Sequence, residues 1–176
     1  MENSLSQSLC PCISSSDCVN NNLSHSQNSY EKCCQPLHDK HIKAKTAEQL
    51  MRSRYSAYVL KHSSYLLETY HADFHLENER ETLAASLGDT QWLGLIVHSH
   101  KVLNATEAIV EFSAFFTSCG NTSNTDFEQI HERSSFVLVK DQWYYTQGEF
   151  LAPFKVPKNH MCFCSSGKKF KRCHGA

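Results

Sequence analysis

The hydrophobic positions between residues 44 and 151 change their period once, and the change separates helices from strands. Ala47, Leu50, Met51, Tyr55, Tyr58 and Val59 recur at helical spacing. Thr46, with Gln49 three residues later, makes a capping box, so a helix is predicted from Thr46. Tyr65 to Tyr70 predicts a further short turn or helix. A second clear helix is expected from Asn78, with Glu81 at its third position and its end before Gly88. Beyond it the period drops to two. Trp92 to Val102 reads as a strand. In Glu107 to Thr117 one face carries Ala108, Val110, Phe112, Ala114 and Phe116, and the other Glu107, Ile109, Glu111 and Ser113. Ile130 to Lys140 is another strand, and Asp141-Gln142 is the expected turn into Trp143 to Gly148. Helices followed by an antiparallel meander form an α+β pattern, with the helices covering one face of a curved sheet.

Composition divides the chain into three segments. Residues 1–43 are rich in Ser, Asn, Cys and His, and Ile13 to Asn28 offers too little apolar area to order itself, so a loop is expected there. Residues 44–151 carry the periodic patterns. Ala152 to Pro157 reads as a short Pro-containing linker into a third segment, residues 152–176.

The 176 residues suffice for one good core with small appendages, and a hydrophobic content of 40% suits a soluble globular protein. No apolar run approaches the roughly 18 residues that a membrane span needs. The start, Met1-Glu-Asn-Ser-Leu-Ser, lacks the basic and apolar regions of a secretory signal, so the expected location is the cytoplasm, where thiols stay reduced. Nine cysteines there read better as metal ligands than as disulfides; an odd count and two Cys-x-Cys units suit bridges poorly. Net charge is near zero but unevenly placed. From Lys155 onward there are six cations (Lys155, Lys158, Lys168, Lys169, Lys171 and Arg172) and no acid, which suggests a basic docking face. The alternative is a solvated tail balanced by charges elsewhere.

Cys162, Cys164, Cys173 and His174 supply one complete tetrahedral ligand set for zinc. Gly167 provides the free φ that a tight reversal needs, and Phe170 can cover a site too small for its own core. Such a site has no open position, so its zinc is expected to be structural, and its binding energy folds the knuckle. Lys168, Lys169, Lys171 and Arg172 offset its net negative charge and lower the thiol pKa values. The segment resembles the SEC-C zinc motif, Cys-x-Cys followed after eight residues by Cys-Cys or Cys-His, found at the tail of the protein-translocation ATPase SecA. The resemblance implies a protein partner, the export chaperone SecB or the ribosome. A weak RNA contact is a further expectation from the basic charge, with Phe163 and Phe170 the aromatics at hand.

Cys10, Cys12, Cys33 and Cys34 look like a second copy with a spacer of twenty residues instead of eight. Closing the longer loop costs about 0.8 kcal/mol more, against roughly 10–16 kcal/mol from zinc. One zinc at the C-terminal set is therefore expected, with room for a second at this one. Cys18, His25 and His38 are competing ligands. Four thiolates with only Lys32 near in sequence suggest the weaker and more oxidation-prone site. A disordered tail with free thiols is the alternative.

The pattern of two such ends around an α+β middle, with Thr46-Ala-Glu-Gln-Leu-Met-Arg-Ser-Arg-Tyr-Ser-Ala-Tyr58, His131-Glu-Arg-Ser-Ser-Phe136 and Trp143-Tyr-Tyr before Gly148, resembles the YchJ family of small bacterial proteins. That resemblance implies a nuclear transport factor 2-like middle, a cone of helices wrapped by a curved sheet, and no particular activity. The long Ser/Asn insertion after Cys12 and the lack of Gly in the first knuckle depart from the family pattern.

Cones of this kind often hold a pocket, which gives a rival reading as a small-molecule-binding protein or enzyme of isomerase or hydrolase type. The residues for it are Glu132, His131 and Arg52, with Arg133, His71, Arg54 and several tyrosines as further candidates. Strand alternation puts His131 and Arg133 on one face and Glu132 on the other with Ser134, Phe136 and Leu138. An inward Glu132 needs a partner, and Arg52 or Arg54 is expected to supply it. The favoured reading is an ion pair tying helix to sheet rather than an acid–base carboxylate, and a hydrogen-bonded strand residue for His131. Cys119 reads as a plain thiol. The chain shows neither a phosphate-binding loop nor a nucleophile–base spacing, and the reading favoured is a docking adaptor.

Overall fold

The computed structural model describes residues 9–13, 29–75, 81, 83, 87–88, 90–118 and 126–176. The Ile13–Asn28 loop beyond Ile13, most of the helix expected from Asn78, and Cys18, His25 and Cys119 lie outside these. Glu81 and Leu83 are helical, and Leu83 and Leu87 are buried.

Among the described residues, the helices that can be bounded before the sheet are α1 (Gln35–His38), α2 (Ala47–Leu60) and α3 (Ser63–Glu68). Four strands follow, β1 (Thr90–Val102), β2 (Glu107–Ser118), β3 (Glu128–Val139) and β4 (Gln142–Phe150), paired antiparallel in chain order. This is the expected α+β meander. Thr46 caps α2 by accepting from the Gln49 backbone N–H at 3.1 Å. The Gln49 side chain reaches back one residue further than a capping box requires, accepting from the Lys45 N–H at 2.7 Å. At the other end Lys61 takes the left-handed conformation (φ 60°), and the His62 N–H returns to the Ala57 carbonyl.

Helix α2 crosses the inner face of the sheet against β1, β2 and β4. Leu50, Met51 and Tyr55 join Leu95, Val110, Ala114, Phe136 and Trp143 in the main core. Burial on α2 extends beyond its apolar stripe. Ser53 and Ser56 are fully buried, because the N-terminal segment and α3 cover them. Ser53 Oγ lies 2.7 Å from the Tyr65 hydroxyl, and Ser56 Oγ lies 3.6 Å from Cys10 Sγ.

Two details differ from expectation. The turn between β3 and β4 is Lys140-Asp141, one residue earlier than predicted, since Val139 pairs with Gln142 and both turn residues have positive φ (49° and 61°). That is the two-residue loop whose twist matches a hairpin. The outer face of β2 is also not polar throughout. Ser113, Phe115 and Thr117 are buried there: Phe163 of the C-terminal segment packs on Phe115 beside Ile96, His98 meets Ser113, and Thr117 donates to the Asp126 carbonyl. Register shifts at Trp92/Gly94 and Val97/Ser99 in β1, and at Ser135/Phe136 between β3 and β4, bend the strands.

Candidate metal centres

The N-terminal cluster is built from a turn and a helix start. Ile13 N–H closes a turn on the Cys10 carbonyl, which sets Cys10 and Cys12 side by side. The 3-10 turn Tyr30–Lys32 delivers Cys33, and Cys34 is the N-cap of α1, with Pro36 in its first turn. Cys12 Sγ lies 3.6 Å from the sulfurs of Cys10, Cys33 and Cys34, and Cys33 Sγ lies 3.9 Å from Cys34 Sγ. Four thiolates at about 2.3 Å from one ion have edges of about 3.8 Å, so the set fits a tetrahedral metal and is far too open for a disulfide. The seven described cysteines are all free.

Its surroundings take His38 out of the ligand choice. His38, a competing ligand on spacing alone, has both ring nitrogens engaged. Nε2 must donate to the Ser53 carbonyl at 2.9 Å, so Nδ1 accepts from the Tyr30 hydroxyl at 2.8 Å. Arg52 supplies a cation that sequence proximity did not reveal: one guanidinium nitrogen donates to the Cys12 carbonyl at 2.9 Å while Nε pairs with Glu48 at 2.8 Å. Burial works against the expectation of an oxidation-prone site. Cys10, Cys12 and Cys34 are at most 1% exposed and sit in the main core. Hydrogen bonding among the sulfurs drives the Cys10 thiol far below its ordinary pKa and pushes those of Cys12 and Cys34 up. Cys10, Cys12 and Cys34 therefore do not ionise together without a cation between them.

The C-terminal cluster hangs on a hairpin. Cys162 N–H donates to the Lys168 carbonyl at 2.8 Å, Gly167 turns the chain with φ 71°, and the 3-10 turn Phe170–Arg172 presents Cys173 and His174. Cys164 Sγ is 3.5 Å from Cys173 Sγ, and His174 Nδ1 is 3.3 Å and 3.4 Å from the sulfurs of Cys162 and Cys173. A mixed sulfur–nitrogen edge is about 3.6 Å for a tetrahedral ion, so this set fits as well. Desolvation lowers the His174 pKa and keeps the ring neutral, its metal-binding form. Burial pushes the Cys162 thiol up to about 12.

The knuckle is seated by Phe163 rather than Phe170. Phe163 is 1% exposed, which removes it from any base-stacking role, and Phe170 is only half-buried beside it. A Cβ on Gly94 would strike the Phe163 carbonyl. Lone glycine inside a predicted strand was the available signal for that close approach.

The pocket candidates do not assemble. His131 points outward, 3.4 Å from Glu111 and hydrogen-bonded through Nδ1 to the Ala152 carbonyl at 2.6 Å. Glu132 points inward and accepts from Ser134 Oγ and from the Tyr145 hydroxyl at 3.3 Å. The expected ion pair with Arg52 or Arg54 is not formed, because both cations find nearer partners. Arg52 is turned to Glu48 and Cys12, while Arg54 donates to the Leu66 carbonyl and Thr69 Oγ1 at 2.6 Å. Arg133 joins Glu111 and Glu149 on the exposed face, and His71 caps the turn Ala72–Phe74. A cavity of about 320 Å³ lies between α1, α3 and β4, lined by Leu37, Lys43, Tyr65 and Trp143 among others, and one of about 220 Å³ adjoins it. Neither includes Glu132, His131 or Arg52.

The family model for the middle, nuclear transport factor 2-like domain of YchJ matches residues 46–148. The chain belongs to the YchJ family. A model of the SEC-C motif matches residues 159–176, which contain the C-terminal cluster of this YchJ chain. A UPF0225 protein of Photorhabdus laumondii is 40% identical over 172 residues, 95% of this chain and 98% of that protein. One from Vibrio parahaemolyticus is 38% identical over 161 residues, 83% of this chain and 93% of the relative. A crystal structure of a SEC-C motif containing protein from Psychrobacter arcticus superposes with TM-score 0.62 at 33% identity, covering 97% of each chain. A solution structure of such a protein from Rhodopseudomonas palustris gives 0.64 at 31% identity, over 71% of this chain and 94% of that one. The YchJ middle domain is thus nuclear transport factor 2-like, with a cysteine cluster at each end that fits a metal ion.

Proposed function

We propose that the chain is a cytoplasmic zinc protein that binds two ions, one per cluster, and uses its C-terminal knuckle to dock on an acidic partner surface. Four thiolates, and three thiolates with an imidazole, are donor sets that favour zinc and leave it no open position. The zinc is therefore structural. Among the described residues no helix is long and apolar enough to cross a membrane.

One observation carries the docking role. Lys168, Lys169, Lys171 and Arg172 all project from the closed knuckle into solvent, and none joins an ion pair among the described residues. Lys155 and Lys158 extend the same charge. Uncompensated cations on a rigid support raise association rates with an acidic surface. By the resemblance to the SecA tail, that surface belongs to an export chaperone or to the ribosome.

The test is binding of the zinc-loaded chain to purified export chaperone and to purified ribosomes at low and moderate salt. Charge reversal of Lys168, Lys169, Lys171 and Arg172 to Glu is expected to abolish the salt-sensitive binding. Capture that is unchanged by the reversal removes the docking role. Elemental analysis of the same preparation reads the zinc content, expected at two per chain.

A further inference from the structure

The two clusters touch. Ser165 donates its hydroxyl to the Ile13 carbonyl at 3.0 Å, a contact spanning 152 residues of sequence. Each partner is next to a ligand: Ser165 follows Cys164, and Ile13 follows Cys12. The adjacent carbonyl, that of Cys12, is held by Arg52 from α2. The backbone that carries Cys10 and Cys12 is therefore clamped from two sides, by the core helix and by the other cluster.

Ser165 can make this bond only in a conformation that serine avoids. Its φ is 58°, in the left-handed region. What imposes that conformation lies on either side of it. Cys164 is a ligand, and Ser166 Oγ lies 3.5 Å from the sulfur of another, Cys173. Phe163 seats the start of the knuckle, but beyond it the ligand sulfurs on either side of Ser165 are what fix its turn, so an open knuckle weakens the bond to the Ile13 carbonyl.

We propose that the two metal centres are coupled through Ser165 and Ile13, so that loss of metal from one loosens the other. The proposal rests on the reading that both clusters hold zinc. Coupling of this kind is reciprocal, because the bond belongs to both sites at once. Its consequence is that metal loss beneath the basic docking face lowers the protection of the core-side cluster, and the reverse.

The experiment uses the zinc-loaded full chain, with no partner present, and follows iodoacetamide alkylation of each cysteine by peptide mass spectrometry during exposure to a chelator. Release from the N-terminal thiols (Cys10, Cys12, Cys33 and Cys34) is expected to accelerate in Ser165→Ala, by about two- to tenfold for one hydrogen bond. In Cys173→Ser it is expected to accelerate further. Ser165→Ala is a part-buried surface change and keeps the proposal testable if Cys173→Ser does not fold. An N-terminal rate unchanged in Ser165→Ala overturns the coupling. So does a wild-type chain whose C-terminal thiols are fully alkylated while the N-terminal ones keep their original protection. Thiols that react equally fast before and after chelator show that no metal was held, and overturn the zinc reading along with the coupling. Failure of partner docking moves none of these rates.

Discussion

The ring of Phe163 lies flat on that of Phe115, with centroids 3.9 Å apart and planes 3° from parallel. Both rings are fully buried, one from the C-terminal knuckle and one from β2. The stack turns the outer face of the sheet into a second core, which Phe127 and Phe170 complete. Phe163→Ala is expected to cost about 3–5 kcal/mol, and Phe170→Ala clearly less. Urea denaturation of the metal-loaded chain measures both, and equal costs would show that Phe163 is not the anchor.

Gly94 faces the same seat. With the Phe163 carbonyl where a Cβ would stand, Gly94→Ala must displace backbone rather than a flexible side chain. The expected outcome is an unseated knuckle with the middle domain still folded. Hydrogen exchange reads this directly: the Cys162 N–H loses protection, while amides of β2 facing β3 keep theirs.

Burial also orders metal loss. Three of the four N-terminal thiols are at most 1% exposed, whereas only Cys162 is so covered in the C-terminal set. A chelator must reach the ion, so the C-terminal cluster is expected to release first, in contrast to the weaker N-terminal site that charge alone suggests. Thiol release followed residue by residue checks the order, and earlier alkylation of Cys10 and Cys12 than of Cys164 and Cys173 reverses it.

Both clusters that fit a metal ion were legible because metal chemistry restricts residue type and spacing together. The strands were legible because the inner face of β2 is apolar at every second residue from Ala108 to Phe116. What spacing does not encode is which segment returns to cover a face. Phe115 lies on the face that reads as the outer side of a strand until the knuckle docks on it, and Ser113 on the same face is met by His98. Ser53 and Ser56 lie off the apolar stripe of α2 and are buried because Tyr65 and Cys10 reach them. Arg52 showed the same limit: it or Arg54 was expected to pair with Glu132 across the cone, but for Arg52 the Glu48 carboxylate one turn away and the Cys12 carbonyl are nearer. Gly94 alone carried a local sign of the docking.

Glu132, Tyr145 and Arg54 form a chain across the inner face. The Tyr145 hydroxyl donates to Glu132, and the Arg54 guanidinium lies 4.8 Å from the centre of the Tyr145 ring. Arg54 is itself buried and anchors the Leu66 carbonyl and Thr69. A structural role predicts graded losses of stability. Tyr145→Phe is expected to cost about 1 kcal/mol. Arg54→Ala costs more, since it strands two acceptors and removes buried packing. Denaturation midpoints rank the two variants, and a larger loss in Tyr145→Phe would point to a different center of the network.

Acid sensitivity has two separable origins on the outer face. His98 is packed against Phe154, with ring centroids 4.3 Å apart, its Nε2 lies 2.8 Å from Ser113 Oγ, and the His131 ring is 5.1 Å away. Desolvation, then repulsion from His131 and His160, lowers its pKa, with Glu111 the opposing influence. A folded-state pKa below the unfolded one means that the unfolded chain takes the proton first. The contribution of His98 is therefore fully present above about pH 6.5 and is lost as pH falls below it. Glu111 is held low chiefly by hydrogen bonding to Arg133, so its contribution persists to lower pH and fails only below the ordinary carboxylate range, near pH 4.3. The stability difference between wild type and His98→Gln is expected to shrink on acidification from pH 7.5 to 5, while that for Glu111→Gln holds over the same span. Guanidinium denaturation at several pH values measures both differences. A His98→Gln difference that stays constant would mean that this imidazole titrates in the folded chain as it does in the unfolded one.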